Sequence, residues 1–96
     1  MDSLTAFDLR LLEIMPVEPI GFSITELSDS LLRKRTPAAK ARVRRALDHI
    51  TRELGGINVH RGRDDFADYT VKMYCLRRVS MPEVRAFFAR NQARNS

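Results

Sequence analysis

The residues with the clearest chemical character are lysines and arginines, which are concentrated in the middle of the chain. Residues 30–63 contain ten basic and two acidic side chains, a net charge of +8. Residues 1–29 carry one basic and six acidic side chains, a net −5, and residues 64–96 carry six and four, a net +2. Charge this unevenly spread over one small domain produces a directional field. The middle third is therefore expected to face a polyanion.

Residue types for other chemistries are sparse. Cys75 is the only cysteine, so no intrachain disulfide or cysteine cluster can form. His49 and His60 lack the spacing of a metal-ligand pair. No nucleophile–base pair, glycine-rich phosphate loop or carboxylate pair stands out. We therefore expect no enzyme activity, no metal and no cofactor.

The elements that position the basic residues are predicted from apolar periodicity and capping signals. Helices are predicted at about 4–15, with Ser3 as N-cap, at 23–33, at 37–54 and from Ser80 to about Asn91. Strands are predicted at 57–60 and 69–76, joined by a polar loop at 62–68. Residues 17–22 form a connector that includes a short extended piece paired with this hairpin. The chain length allows one domain, predicted at 1–91, with a flexible tail at 92–96.

The helix predicted at 37–54 is the longest and has the clearest boundaries. Thr36 is a suitable N-cap and Pro37 suits the first helical position, while Gly55-Gly56 is a natural C-terminal stop. One face is apolar (Val43, Ala46, Leu47, Ile50 and Leu54). The opposite face and its flanks are mainly basic (Lys40, Arg42, Arg44, Arg45, His49 and Arg52, together with Ala41 and Asp48).

The second and third helices form a helix-turn-helix candidate, and the hairpin after them is its wing. An α-helix fits the major groove of B-DNA, and residues near its start reach base edges. We expect contacts to bases from Thr36, Ala38, Lys40, Ala41, Arg42 and Arg45. Contacts to phosphates are expected from Arg44, His49 and Arg52. The basic turn (Arg33, Lys34 and Arg35) completes the predicted interface.

Three stretches of the sequence resemble the winged-helix family of transcriptional regulators. They are Leu9–Met15, Ser23–Leu31 and Val43–Ile50, within a resemblance that covers about residues 4–76. The resemblance implies an α+β winged-helix fold with a three-helix core, a β-hairpin wing and an extra C-terminal helix. It also implies a sequence-specific, repressor-like regulator that binds double-stranded DNA. The basic inter-helix turn and the acidic loop at Asp64, Asp65 and Asp68 depart from the family pattern.

Other surfaces leave alternatives open. Arg61 and Arg63 either reach the DNA or pair with Asp64 and Asp65. The acidic loop itself is interpreted as a solvated turn, and Tyr69 and Tyr74 as hairpin packing. A homodimer is expected, with Phe7, Phe87 and Phe88 as candidate interface residues. No signal peptide or membrane-length apolar run is recognised, so a cytoplasmic location is expected, with nucleoid association in a bacterium.

A protein-interaction module on the same fold is the competing interpretation. The acidic segment 1–29 and the acidic wing tip suit this reading better than DNA binding. An RNA-binding adaptor would differ from the first interpretation only in its ligand.

Overall fold

The first three α-helices each begin where the sequence supplies a side chain that caps a free amide. The computed structural model describes residues 4–64, 66 and 69–95, except the side chains of Ser80, Phe87, Phe88 and 91–95. The helices are α1 (Ala6–Ile14), α2 (Ile24–Leu32), α3 (Pro37–Glu53) and α4 (Met81–Asn95). The strands are β1 (Phe22–Ser23), β2 (Ile57–Arg63) and β3 (Thr70–Leu76), and a 3₁₀ turn (Arg78–Ser80) leads into α4.

The N-cap of α1 is Thr5, so the predicted start at Leu4 with Ser3 as cap was wrong. The Thr5 hydroxyl accepts from the Asp8 amide at 3.1 Å, and the Asp8 carboxylate accepts from the Thr5 amide at 2.9 Å. This reciprocal pair satisfies two amides, which a single serine does not do. The N-cap predicted at Thr36 is confirmed, and Ser23, at the start of the second predicted helix, is the N-cap of α2. α2 ends at Leu32, and its C-cap Arg33 has a left-handed backbone with φ of 56°.

The three strands form one antiparallel sheet with β3 in the centre and the order β1-β3-β2. β1 pairs Phe22 with Tyr74, which confirms that the connector contributes an extended piece to the hairpin. β2 ends at Arg63, three residues past its predicted end at residue 60. It extends this far because its pairing with β3 continues up to the pair Arg63–Thr70. The loop between these strands is therefore shorter than expected.

The core lies between the helices and one end of the sheet. Leu11, Leu27, Val43 and Ile50 are fully buried, one or two from each of the first three helices, and β3 adds Leu76. Burying side chains of this size stabilises the fold by about 1.5–3 kcal/mol each. The predicted apolar face of α3 is confirmed, with its last member, Leu54, only partly buried.

The last helix packs through its beginning. Met81 packs against the core and Val84 is buried, whereas Arg85, Ala89 and Arg90 are exposed. The helical backbone continues to Asn95, so the end predicted near Asn91 was too early. The chain is therefore a compact α+β unit of four helices and a three-stranded antiparallel sheet, with a radius of gyration of 13.3 Å. Within the described residues, no helix has both the length and the apolar character needed to cross a membrane.

Candidate nucleic-acid interface

The apolar face of α3 packs against the core, and the rest of the helix surface faces outward. This outward surface has a groove on each side. The 17 residues of α3 span about 25 Å at 1.5 Å per residue. One groove separates α3 from the β2–β3 hairpin and is called here the wing-side groove. The other separates α3 from the first turn of α1 and is called the α1-side groove. Basic side chains of α3 line both grooves.

Four basic side chains converge on the wing-side groove. Lys40 and Arg44, one helical turn apart on α3, face Arg61 of β2 and Lys72 of β3. The Arg61 guanidinium donates to the Thr70 carbonyl at 3.4 Å, so the Arg61 side chain reaches across the hairpin from β2 to β3. Within the part of the chain that the structure describes, no carboxylate forms an ion pair with these four residues. The groove therefore concentrates four positive charges that have no ion pair among the described residues.

Asp64 lies at the edge of this groove but is not a solvated turn residue, so that interpretation was wrong. It is 8% exposed, and its Oδ2 accepts from the Ser23 hydroxyl at 2.6 Å. Its Oδ1 accepts from the Phe66 amide at 2.9 Å. Asp64 thus links the hairpin loop to the start of α2 instead of pairing with Arg61 or Arg63. Asp65 and Asp68 lie outside the described residues.

The basic turn between α2 and α3 is divided between structural and exposed residues. Arg35 pairs with Asp29 at 2.9 Å, and its guanidinium lies 4.5 Å from the centre of the Phe66 ring. Arg33 and Lys34 are exposed and have no ion pair among the described residues. The turn is closed by the Ser28 hydroxyl, which donates to the Lys34 carbonyl. Of the three basic residues in this turn, Arg33 and Lys34 are therefore the two without an ion pair among the described residues.

Small residues form the ridge of α3 between the two grooves. Ala38 is exposed and Ala41 is partly buried, so this part of the helix carries no bulky side chain. The Thr36 hydroxyl accepts from the Ala39 amide at 3.2 Å and is committed to capping. Asp48, further along the ridge, is exposed. The N-terminal half of α3 is thus the half that can approach a polyanion closely.

The α1-side groove contains a basic stripe with the spacing of one helix face. Arg42, Arg45, His49 and Arg52 follow one another at intervals of three, four and three residues. The sequence places Arg42 and Arg45 near base edges, whereas both line this groove. The Arg42 guanidinium lies 4.2 Å from the centre of the Phe7 ring. Phe7 also packs against the core and is only partly exposed.

His49 is held by α1 instead of lying free for a phosphate. Its Nδ1 is 2.7 Å from Oδ2 of Asp8, a carboxylate that is 3% exposed. Its Nε2 is 3.8 Å from the Glu53 carboxylate in the next turn. A phosphate contact was expected from His49, but these partners take it out of the candidate interface. Asp8 and His49 instead fix the spacing between α1 and α3.

The remaining predicted residues are less informative. Arg63 ends β2 and is exposed. Tyr74 packs against the core as expected, but Tyr69 is 70% exposed, so its assignment to hairpin packing was wrong. Tyr69 lines the wing-side groove next to Lys72. Of the three candidate dimer residues, only Phe7 is described, since the side chains of Phe87 and Phe88 lie outside the described part.

Sequence reasoning missed the contacts that connect distant segments. The Ser23–Asp64 and Asp8–His49 pairs each join residues 41 positions apart. A capping signal predicts that Ser23 accepts a hydrogen bond, but not that it also donates one to the hairpin. The one available signal for Asp8 was its position three residues after Thr5, which is typical of a capping box.

Comparisons with protein-family models, with curated proteins and with solved structures found no match to this chain. Among the described residues there is no cluster of three or more histidine, cysteine, aspartate or glutamate side chains that could hold a metal ion.

Proposed function

We propose that this chain is a winged-helix DNA-binding domain in which the N-terminal half of α3 enters the major groove. The element order supports this architecture: a helix, a short strand, a helix-turn-helix pair and a β-hairpin follow one another along the chain. The turn Arg33–Thr36 joins α2 to α3, and β2–β3 is the wing. The regulatory, repressor-like role remains part of the proposal.

The observation that carries the proposal is the wing-side groove. Lys40 and Arg44 on α3 and Arg61 and Lys72 on the wing direct positive charge into one groove beside the exposed start of α3. Surface cations on most folded proteins are interspersed with acidic partners. Uncompensated cations along a helix and an adjoining hairpin match the polyanionic backbone of a duplex.

The residues divide into two roles in this proposal. Ala38 and Ala41 let the helix approach base edges, and a thymine methyl group is a suitable partner for such small apolar side chains. Lys40, near the start of α3, is long enough to reach a guanine edge. Arg44, Arg61 and Lys72 contact phosphates, with Arg33 and Lys34 as further phosphate contacts. Asp48 limits how much of the helix enters the groove because its charge repels phosphates.

The first test is a fluorescence-anisotropy titration of a random-sequence duplex at about 50 mM and about 200 mM salt. Binding through 6–10 phosphate contacts is expected to weaken by on the order of 10³–10⁵ over this range. The double variant Lys40→Gln/Arg44→Gln is expected to lower the slope of log affinity against log salt by about 1, since Arg44 is the phosphate contact of the pair and each phosphate contact contributes roughly 0.9. Both side chains are outside the fully buried core, so the fold should be retained.

The matched control is Arg85→Gln/Arg77→Gln. It removes one exposed charge from α4 and one from the residue that follows β3. We expect the salt slope of this variant to stay close to that of the wild type. Absence of duplex binding at 50 mM would refute the proposal. An equal effect of the test and control variants would show that binding depends on net charge and not on α3 and the wing.

Sequence specificity and dimerisation are further parts of the proposal. Selection of bound duplexes from a random pool should return one preferred motif, and a homodimer should return two copies about 34 Å, one helical turn, apart. Selection without a motif would limit the function to non-specific binding. A single, unrepeated motif would favour a monomer.

The protein-interaction alternative keeps less support than the sequence alone gave it. It relied on an acidic wing tip, but Asp64 is buried against Ser23 and Phe66. Its remaining basis is the acidic N-terminal segment and the exposed apolar side chains of Ile20 and Val79, which are 62% and 82% exposed. Capture of a protein partner that survives Lys40→Gln/Arg44→Gln but not Ile20→Ser would favour it.

A further inference from the structure

The α1-side groove is a second concentration of positive charge on the opposite flank of α3. Its basic stripe consists of Arg42, Arg45, His49 and Arg52, and the first and last of these are about 15 Å apart along the helix. Thr5, Ala6, Phe7 and Asp8 of α1 form the facing wall. None of the wing residues that the structure describes lines this groove, so it is separate from the wing-side groove.

Among the described residues that line the groove, Asp8 is the acidic one, and its carboxylate is already bonded to other partners. Oδ2 of Asp8 accepts from the Thr5 amide at 2.9 Å and contacts Nδ1 of His49 at 2.7 Å. Asp8 is also 3% exposed, so a ligand in the groove does not meet its charge at the surface. Arg45 and Arg52 are exposed, and within the described part of the chain neither has an ion pair.

The position of Arg42 suits it to binding an anion. Its guanidinium is stacked on Phe7 at 4.2 Å, an arrangement that uses the face of the group. The N–H donors lie in the plane of the guanidinium and point away from its face, where they can form paired bonds to a phosphate. Ala46 on α3 and Ala6 on the facing wall also line the groove, and these small side chains leave room for a ligand.

We infer that the α1-side groove is a phosphate-binding site formed by Arg42, Arg45 and Arg52. The phosphate group belongs either to the DNA strand opposite the one bound by the wing-side groove or to a free phosphorylated ligand. In the first case the inference rests on the proposed function, because the two grooves then hold the two strands that border the major groove. In the second case the ligand occupies a site next to α3 and competes with DNA.

The test uses Arg45→Gln/Arg52→Gln, which changes two exposed residues, and Lys40→Gln/Arg44→Gln as the matched variant from the wing-side groove. Pyrophosphate is titrated into each ¹⁵N-labelled protein without DNA, and amide shifts of α1 and α3 are followed. Sodium sulfate at equal ionic strength is the control titration. We expect saturable shifts around the α1-side groove in the wild type and the wing-side variant, with at least a tenfold weakening in Arg45→Gln/Arg52→Gln.

The second arm measures the salt dependence of duplex binding for the same proteins and for Arg85→Gln/Arg77→Gln. A slope reduced by about 2 in Arg45→Gln/Arg52→Gln, but not in the control pair, assigns the site to the DNA backbone. Pyrophosphate binding with an unchanged slope assigns it to a free phosphorylated ligand. The inference is overturned if pyrophosphate binding does not depend on the stripe and the slope also stays unchanged. Failure of the proposed function is distinguishable, because absence of duplex binding leaves the pyrophosphate titration to decide the site.

Discussion

At the scale of single residues, buried carboxylates organise the surfaces on both sides of α3. Asp8 connects the start of α1 to His49, and Asp64 connects the hairpin loop to Ser23. Each carboxylate accepts at least two hydrogen bonds, including one from a backbone amide. Burial of a carboxylate is tolerated only with such partners, because an unpaired buried charge is costly. These two residues therefore position the basic grooves while being almost entirely buried in their walls.

The first residue-scale prediction concerns the Ser23–Asp64 hydrogen bond. Asp64→Ala is expected to lower the free energy of unfolding by about 1–3 kcal/mol, because it leaves the Ser23 hydroxyl and the Phe66 amide without their acceptor. A double-mutant cycle with Ser23→Ala, measured by urea unfolding, should give a coupling energy of about 0.5–3 kcal/mol. The capping contribution of Ser23 cancels in the cycle.

Asp48→Ala is the matched control for this cycle, since it removes an exposed carboxylate with no hydrogen bond among the described contacts. Its effect should stay within about 0.5 kcal/mol. A coupling energy near zero between Ser23 and Asp64 would contradict the assigned bond.

Sequence reasoning predicted some of these residues and not others for a physical reason. Caps and helix faces depend on neighbours within four positions, so Thr36, Ser23 and the buried face of α3 were predictable. The position of Lys40 and Arg44 away from the buried face of α3 was predictable for the same reason. The partners of Asp64 and His49 depend on contacts between distant segments, which a local pattern does not encode. Asp64 was consequently misread as solvated.

At the scale of elements, the hairpin is held against the helices at several points. β1 pairs with β3, Asp64 contacts the start of α2, and Phe66 lies beneath Arg35 of the inter-helix turn. The strands and helices themselves were predictable from periodicity. The end of β2 was less so, because this strand is extended by pairing with β3. The start of α1 was misplaced although its reciprocal cap is a local signal.

The element-scale prediction concerns the close approach of the connector to the sheet at Gly21. A Cβ atom there would lie 2.5 Å from Cε1 of His60 and 2.9 Å from Cβ of Met73. Gly21→Ala should lower the free energy of unfolding by about 1–3 kcal/mol, as overpacking does. The change is measured as a shift in the urea midpoint at constant m-value.

Two further variants separate the sources of this effect. Gly21→Ala in a His60→Ala background should recover part of the loss, because the His60 ring is then absent while Met73 stays. Gly55 has a φ of 67°, and a Cβ atom built there has no other atom within 4 Å. Gly55→Ala therefore reports only the free-energy cost of placing an alanine in a left-handed backbone conformation. Equal stability of Gly21→Ala and the wild type would mean that the connector can move away from the sheet.

At the scale of the whole molecule, the connector between α1 and β1 joins both ends of the fold. The Glu18 amide donates to the Leu76 carbonyl at 2.9 Å, and the Glu18 carboxylate accepts from the Asn58 side chain and the Arg78 amide, each at 3.3 Å. Cys75 lies beside this network and is fully buried. Burial raises the pKa of the Cys75 thiol above its ordinary value of 9.0, and the Glu18 carboxylate raises it further.

The whole-molecule prediction is a loss of stability at alkaline pH that depends on Cys75. In the unfolded chain the thiol ionises near 9.0, whereas in the folded chain it stays protonated to higher pH. Its contribution to stability is therefore fully present below about pH 9 and is lost as the pH rises towards the folded-state pKa. The slope reaches at most about 1.4 kcal/mol per pH unit.

Urea unfolding of the wild type and of Cys75→Ala between pH 7 and pH 10 checks this prediction. The tyrosines and lysines titrate in both proteins, so only the difference between the two curves reports Cys75. The free energy of unfolding of the wild type should fall more steeply above pH 9 than that of the variant. Parallel curves would show that the thiol ionises equally in both states.

The central position of β3 has a consequence for how the chain is made. β1 and Val17 have no strand partner until β3 exists, because Phe22 pairs with Tyr74 and Val17 with Leu76, each more than fifty residues later. During synthesis, α3 and its cations therefore leave the ribosome, itself a polyanion, before the sheet can close. Closing so long a loop also costs entropy before its contacts form. A chain that stops before β3 is complete would have the basic helix α3. It would lack the completed wing-side groove, in which the proposed DNA-binding residues come together.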